Sequence, residues 1–271
     1  MRPPFEARVS LPLAALVAWA ALGGLLLPST YARETSSWAA QGTGQDWVDL
    51  LLVAPALAIA GVRTIRGSRR ARLVLGGALV YSVYSFLLYA FSVHFNSLFL
   101  VYCATLGLSA SGLLALLLGL LGEDARRWYR GPVPARSTGI FLLGIAAGFG
   151  LLWLGQILPA LLSGRDPAGL REIGLPTNPV HVLDLALLLP ALAFTGGALL
   201  RGRTVGYALA PILLAFTVFM SLAIAGMTLV MQSRGVGPGA GLAILTSGIA
   251  VASAALLYAF LAQVADDAGA R

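Results

Sequence analysis

The segment VDLLLVAPALAIAGVRTIRG at residues 48–67 recurs at residues 183–202 as LDLALLLPALAFTGGALLRG. Aligned without a gap, with Val48 on Leu183, the two segments agree at ten of their twenty positions. We call this pairing, extended along the chain without a gap, the repeat alignment. The shared residues include an aspartate near the start, Asp49 in the first segment and Asp184 in the second. Average composition gives roughly two chance identities in twenty, so the sequence predicts an internal repeat.

Composition predicts that this chain lies in a lipid bilayer. Hydrophobic residues make up 58% of it and charged residues 11%, whereas soluble domains have about 45–50% and about 25%. Apolar runs of about 20 residues, bounded by arginine clusters, indicate membrane-spanning helices. We number eight such spans from one to eight, near residues 9–28, 46–63, 73–94, 97–121, 138–162, 180–200, 204–231 and 240–264.

The eight spans divide into two units of four, so we expect an all-α integral membrane protein with one transmembrane domain. Its first repeat would cover residues 1–137 and its second residues 138–271. The motif YSVY at 81–84 supports this division, because the repeat alignment places it on FTVF at 216–219. Four is an even number of spans, so both units enter the membrane in the same sense, as parallel repeats related by a pseudo-twofold axis along the membrane normal. The alternative is that helices rich in alanine and leucine resemble one another by composition.

The distribution of arginine orients the chain in the membrane. All eighteen basic residues are arginines; fourteen of them lie in the segments on the side of the termini, and four lie on the opposite side. Cytoplasmic loops carry the excess of positive charge, so we expect a multi-pass protein of the cell membrane with both termini in the cytoplasm. Arginine in place of lysine is typical of bacteria with high-GC genomes, which suggests the bacterial inner membrane.

Seven polar residues are predicted to lie near the outer side of the membrane, at the starts of spans two and six and between spans three and four: Asp46, Asp49, His94, Asn96, Asn178, His181 and Asp184. In the repeat alignment, a D-x-x-D motif becomes H-x-x-D, and both members of each motif lie on one helix face. A carboxylate inside a span costs up to about 2.5–3.5 kcal/mol and normally faces the bundle interior. We therefore expect these residues to form a polar binding site.

Helix capping is the structural alternative for some of these residues. The TGQD sequence at 43–46 resembles a capping box, in which Asp46 would accept a hydrogen bond from the Thr43 amide. Asn178 is placed to cap span six, with a proline in the first turn. Capping accounts poorly for Asp49 and Asp184, which lie one turn deeper, and we assign these two to a polar site or to a contact between the halves.

The sequence leaves two functions of different classes. In the preferred one, the halves form a small-solute or cation transporter or permease, whose outward-facing site lies between spans two and six, kinked at Pro55 and Pro190. In the other, a divalent metal such as zinc or iron, or a haem, serves a membrane enzyme or electron carrier. The candidate metal ligands are His94, His181, Asp46, Asp49 and Asp184. Their spacings match no named metal motif, and a subunit without chemistry is a third alternative.

Missing residues and motifs exclude several other classes. The chain has no lysine for a retinal Schiff base, and it contains no Walker A, GxSxG or HExxH motif. Cys103 is the only cysteine, so an intrachain disulfide and a CxxC motif are excluded. The net charge of +7 is explained by the membrane topology. Because no basic soluble module is evident, we expect no nucleic-acid partner. Oligomeric state is left open.

Overall fold

The computed structural model describes residues 3–120, 123–167, 169–237 and 239–265. Within these ranges every regular element is a helix. Eight of the helices described are long and apolar enough to cross a membrane, and they keep the numbers one to eight: Phe5–Leu26, Ser36–Ile65, Arg69–Ser92, Phe99–Leu120, Ala135–Ser163, Pro179–Leu200, Thr204–Ser233 and Gly241–Gln263. The prediction of an all-α chain with eight helices of membrane-spanning length is confirmed. We call the side with the loops after spans one, three, five and seven distal, and the side of the termini proximal.

Span two begins at Ser36, well before its predicted start at residue 46. Thr35 caps it, because its hydroxyl oxygen accepts a hydrogen bond from the Trp38 amide at 3.2 Å. Asp46 therefore lies inside the helix, and the interpretation of Asp46 as part of a capping box is wrong. Asn178 does cap span six, since its side-chain oxygen accepts a hydrogen bond from the Val180 amide at 3.0 Å.

Spans two and six are each interrupted by a π-helical turn that begins at the recurring aspartate, at Asp49–Val53 and at Asp184–Leu188. Pro55 and Pro190 lie in the first turn of the α-helical segments that follow. A π turn adds one residue to the helix, which relieves the clash between a proline ring and the carbonyl one turn earlier. The predicted proline kinks are thus accompanied by π turns at matched positions.

Spans three and seven form the centre of the bundle. Within an apolar stretch of 18 residues in each helix, 61% of span three and 72% of span seven is buried inside the protein, against 11% of span five. The two central helices approach closely at Gly77, where an added Cβ would lie 2.7 Å from the Ile212 carbonyl oxygen. Glycine is therefore required at this crossing.

Two aromatic pairs join spans three and seven. Tyr81 packs against Phe219, and Tyr84 packs against Phe216, both with ring centroids 6.1 Å apart. In the repeat alignment, each partner is the counterpart of the other tyrosine, which is the reciprocal form of a twofold contact. The division of the whole chain at residue 137 remains a prediction.

The two sets of four spans differ in how completely they close. Span one packs along span four in the first set. The repeat alignment matches these two spans with spans five and eight, whose described residues make no more than isolated contacts with one another. The second set is therefore open between spans five and eight.

Candidate functional site

A cavity of about 370 Å³ occupies the distal half of the bundle. This volume lies in the range of small-molecule sites, about 300–1,000 Å³. Spans two, three, five, six, seven and eight all contribute to its walls, which are mainly apolar. The polar lining residues include three glutamines and an acid with its hydrogen-bond donors: Gln41, Gln45, Gln156, Asp184, Tyr84 and Trp153.

Asp184 forms the acidic part of the cavity wall, at the start of the π turn in span six. Asp184 is only 6% exposed. The Tyr84 hydroxyl donates to Oδ1 at 2.9 Å, and the Trp153 indole N–H donates to Oδ2 at 2.8 Å. Each carboxylate oxygen therefore has a donor, and the three residues connect spans three, five and six.

Asp46 and Asp49 lie behind the cavity wall and are buried. Asp49 accepts a hydrogen bond from the Tyr81 hydroxyl at 2.7 Å. Asp46 accepts hydrogen bonds from the hydroxyls of Tyr31 and Tyr89, both at 2.7 Å, and these two tyrosines line the cavity. Burial and, to a smaller extent, the Asp46 carboxylate raise the pKa of Tyr31 in the distal loop well above its ordinary value, so its hydroxyl remains a proton donor.

The two histidines lie in different environments. His181 is buried, with its ring centroid 4.6 Å from that of Trp153 and its Nε2 3.3 Å from Nδ2 of Asn178. His94 is half-exposed in the distal loop, where its backbone N–H and Nδ1 lie 2.8 and 3.0 Å from the Glu34 carboxylate.

Asn96 lies in the loop of His94 and has a structural contact. Its side-chain oxygen accepts a hydrogen bond from the Leu98 amide at 2.8 Å, just before span four begins. Its amide nitrogen lies 3.3 Å from the Thr30 carbonyl oxygen. Asn96 therefore orders the turn into span four.

The five predicted metal ligands do not come together in one place. Asp46 and Asp49 are bound by tyrosines, Asp184 and His181 both adjoin Trp153, and His94 contacts Glu34. Within the described ranges, no group of three or more His, Cys, Asp or Glu side chains is arranged to hold a metal ion. The part of the chain described here thus offers no preformed metal centre.

Sequence reasoning missed the donors that surround the buried aspartates, four tyrosines and one tryptophan: Tyr31, Tyr81, Tyr84, Tyr89 and Trp153. A signal was present, because a carboxylate inside a span requires hydrogen-bond donors from neighbouring helices. The YSVY motif at 81–84 places two hydroxyls one turn apart on span three. One of them binds Asp49 and the other binds Asp184.

The described residues form a helical bundle, and its eight long apolar helices are compatible with a polytopic membrane protein. Comparison with known proteins found no match: no protein-family model fits the sequence, no curated protein matches it, and no solved structure matches its fold. The chemistry of the site is therefore the basis for a function.

Proposed function

We propose that this protein is a transporter or permease for a small solute with a largely apolar body, which binds in the distal cavity beside Asp184. The observation that carries this proposal is the cavity itself, about 370 Å³ in volume, with mainly apolar walls and one buried acid. Concave apolar pockets with a few convergent polar groups are the usual form of small-molecule sites.

A comparison of the two halves supports a binding role for this cavity. In the repeat alignment, Ser221 and Ile224 correspond to Phe86 and Tyr89. In the first half, Phe86 is buried outside the cavity wall and packs on Tyr89 at 5.3 Å and on Tyr102 at 6.3 Å, whereas Tyr89 itself lines the cavity. In the second half, Ser221 and Ile224 line the cavity. Large side chains can therefore fill this region of the fold, and an unfilled cavity lowers stability.

Contacts on the proximal side support movement of the solute through the protein as well as binding. Arg72 donates to the buried Glu6 at 2.8 Å, joining spans three and one. Tyr129, before span five, donates to the Tyr207 carbonyl of span seven at 2.8 Å. The proximal side is thus held together by polar contacts while the cavity lies on the distal side, as in one state of an alternating-access cycle.

The surroundings of Asp184 favour an apolar solute over a bare cation. Both carboxylate oxygens already accept hydrogen bonds, from Tyr84 and Trp153. Each oxygen keeps a second lone pair, but a bare cation would gain few ligands besides this acid, because the rest of the wall is mainly apolar. We therefore propose that Asp184, through its hydrogen bonds with Tyr84 and Trp153, fixes the shape of the cavity wall beside which the solute binds.

Filling the cavity tests this proposal. Ser221→Phe introduces the phenylalanine that the first half has at the matching position, Phe86. The matched control is Ser111→Phe, on the exposed surface of span four. Wild-type protein and both variants are purified from membranes, and bound small molecules are identified by mass spectrometry. We expect a species that is retained by the wild type and Ser111→Phe and is lost from Ser221→Phe.

Transport is then measured with the identified species in proteoliposomes. We expect counterflow with the wild type and no counterflow above protein-free vesicles with Ser221→Phe. Equal retention of every species by the two variants would refute binding in the cavity. Retention without counterflow by the wild type would refute transport and leave a binding protein.

A further inference from the structure

We infer that the ligand of the distal cavity is a neutral amphiphile whose polar end carries a hydrogen-bond-accepting oxygen, such as a ketone or ester, and that Gln45 donates to this oxygen. This inference rests on the binding site of the proposed function and names the chemical class that the site accepts. It does not depend on whether the bound molecule is transported.

Gln45 carries the inference because its amide group has an unused donor. Gln45 is 6% exposed and lines the cavity. The amide nitrogen Nε2 is buried, and no described residue accepts a hydrogen bond from it. Buried polar groups in native proteins are nearly always paired. Rotation of the amide about its last side-chain bond exchanges the positions of its nitrogen and oxygen and brings the donor to the cavity, where an acceptor on an occupant is the missing partner.

The backbone holds Gln45 firmly in this place. At the neighbouring Gly44, spans two and seven approach so closely that an added Cβ would lie 2.7 Å from the Gly226 carbonyl oxygen. In the repeat alignment, Gln45 corresponds to Val180. The internal repeat therefore does not explain the amide, which is a feature of the first half alone.

The charge of the cavity wall excludes an anionic head group. Among the described residues that line the cavity, Asp184 is the one acid, and none is basic. Tyr84 and Trp153 already donate to the oxygens of Asp184, so neither donor is left for an anion. An anion would thus meet a carboxylate without a compensating cation, whereas a neutral carbonyl group needs only the Gln45 donor.

The remainder of the wall fits a flexible apolar body. Met220, Met227 and Met231 line the cavity from span seven, and methionine side chains adapt to irregular apolar shapes. Spans five and eight also line it without packing along one another. The apolar body would enter from the lipid through this gap.

The binding probe is a medium-chain methyl ketone with a terminal bromine. Bromine quenches the fluorescence of nearby tryptophans, and Trp38 and Trp153 both line the cavity. The bromoalkane of equal length lacks the oxygen, and the bromo-carboxylate carries a charge. Gln45→Leu removes the donor at similar volume. We expect saturable quenching of the wild type by the ketone, and an apparent Kd about 3–10-fold weaker in Gln45→Leu, the range of a single neutral hydrogen bond. Bromoalkane binding should be unchanged.

Four further outcomes separate this inference from the proposed function. Ser221→Phe should abolish saturable quenching by every probe; if it does so while Gln45→Leu binds the ketone normally, the cavity stands and the Gln45 assignment falls. Tighter binding of the carboxylate than of the ketone would also overturn the assignment. If Gln45→Leu does not fold, Gln45→Glu, which replaces the donor by an acceptor, must lose the preference for ketone over bromoalkane. Ketone binding without counterflow would refute only transport.

Discussion

Asp49 and Asp184 occupy matched positions in the recurring segments, yet their surroundings differ. Asp184 lines the cavity and accepts hydrogen bonds from Tyr84 and Trp153. Asp49 is 1% exposed and accepts a hydrogen bond from Tyr81 behind the wall. The same carboxylate therefore faces the cavity in one half and only protein in the other.

Asp184→Asn should weaken ketone binding about fivefold, while Asp49→Asn should leave it unchanged. Asparagine at 184 has one acceptor oxygen for two donors, so the geometry of the wall changes, and one neutral hydrogen bond corresponds to about 1 kcal/mol. At position 49, an amide oxygen can still accept from Tyr81, and loss of a buried charge should leave the melting temperature equal or higher. Tryptophan quenching and thermal unfolding measure the two effects. Equal loss of binding in both variants would contradict a special role for Asp184.

Tyr84→Phe should lower the free energy of unfolding by about 1–3 kcal/mol, because it leaves one oxygen of a buried carboxylate without its donor. The ring contact with Phe216 can remain, since only the hydroxyl is removed. Denaturant unfolding in detergent measures the change. Tyr258→Phe is the control, because Tyr258 is 75% exposed, and an equal effect in the two variants would show that the hydroxyl of Tyr84 contributes nothing.

At the scale of the helical elements, span two shows how one cap extends a helix beyond its apolar run. The Thr35 hydroxyl accepts from the Trp38 amide and donates to the Glu172 carbonyl oxygen at 2.6 Å. It thereby joins the start of span two to the loop before span six. The cap also places Gln41 and Gln45 in the helix, where they face the cavity.

Thr35→Ala should therefore destabilise the protein by about 1 kcal/mol, the usual cost of losing an N-cap. Thr35→Ser keeps the hydroxyl and should retain most of the stability. Thermal unfolding of the two variants in the same detergent measures the difference. Identical melting temperatures for alanine and serine would show that the hydroxyl does not stabilise the start of span two.

At the scale of the whole molecule, exchanging the matched residues Phe86 and Ser221 should change the free energy of unfolding differently in the two halves. Phe86→Ser removes a buried ring and should cost about 3–5 kcal/mol, the range of phenylalanine-to-alanine changes in cores. Ser221→Phe extends a side chain into an existing cavity, so the free energy of unfolding, measured by denaturant titration, should stay equal or rise. Equal destabilisation by both exchanges would contradict the equivalence of the two positions.

Sidedness is the second property of the whole molecule that can be measured. In a Cys103→Ser background, which removes the exposed native cysteine, His94→Cys should react with an impermeant maleimide on intact cells. Arg203→Cys, on the proximal side, should react only in inverted vesicles. The physical reason is the excess of arginine on the proximal side. The reverse labelling pattern would place both termini outside the cytoplasm.

The sequence alone was sufficient for the class and number of the elements. Hydropathy is a local property of the chain, so runs of apolar residues predicted eight spans, and the position of Asp49 and Asp184 within spans predicted their burial. The true start of span two was missed because residues 36–45 are more polar than a typical span, and its cap, Thr35, lies outside the apolar run. The metal ligands named from residue type alone were not brought together in the described ranges.

Only the tertiary structure decided which side chains meet. Tyr84 and Asp184 are 100 residues apart in sequence, and Trp153 and Asp184 are 31 apart. Their contacts depend on the rotation and crossing of separate helices, which an apolar sequence pattern does not specify because most faces of these spans are hydrophobic. The cavity has the same origin. It exists because spans five and eight stay apart while small or flexible side chains of span seven leave its centre open, and packing of this kind is a property of the assembled bundle.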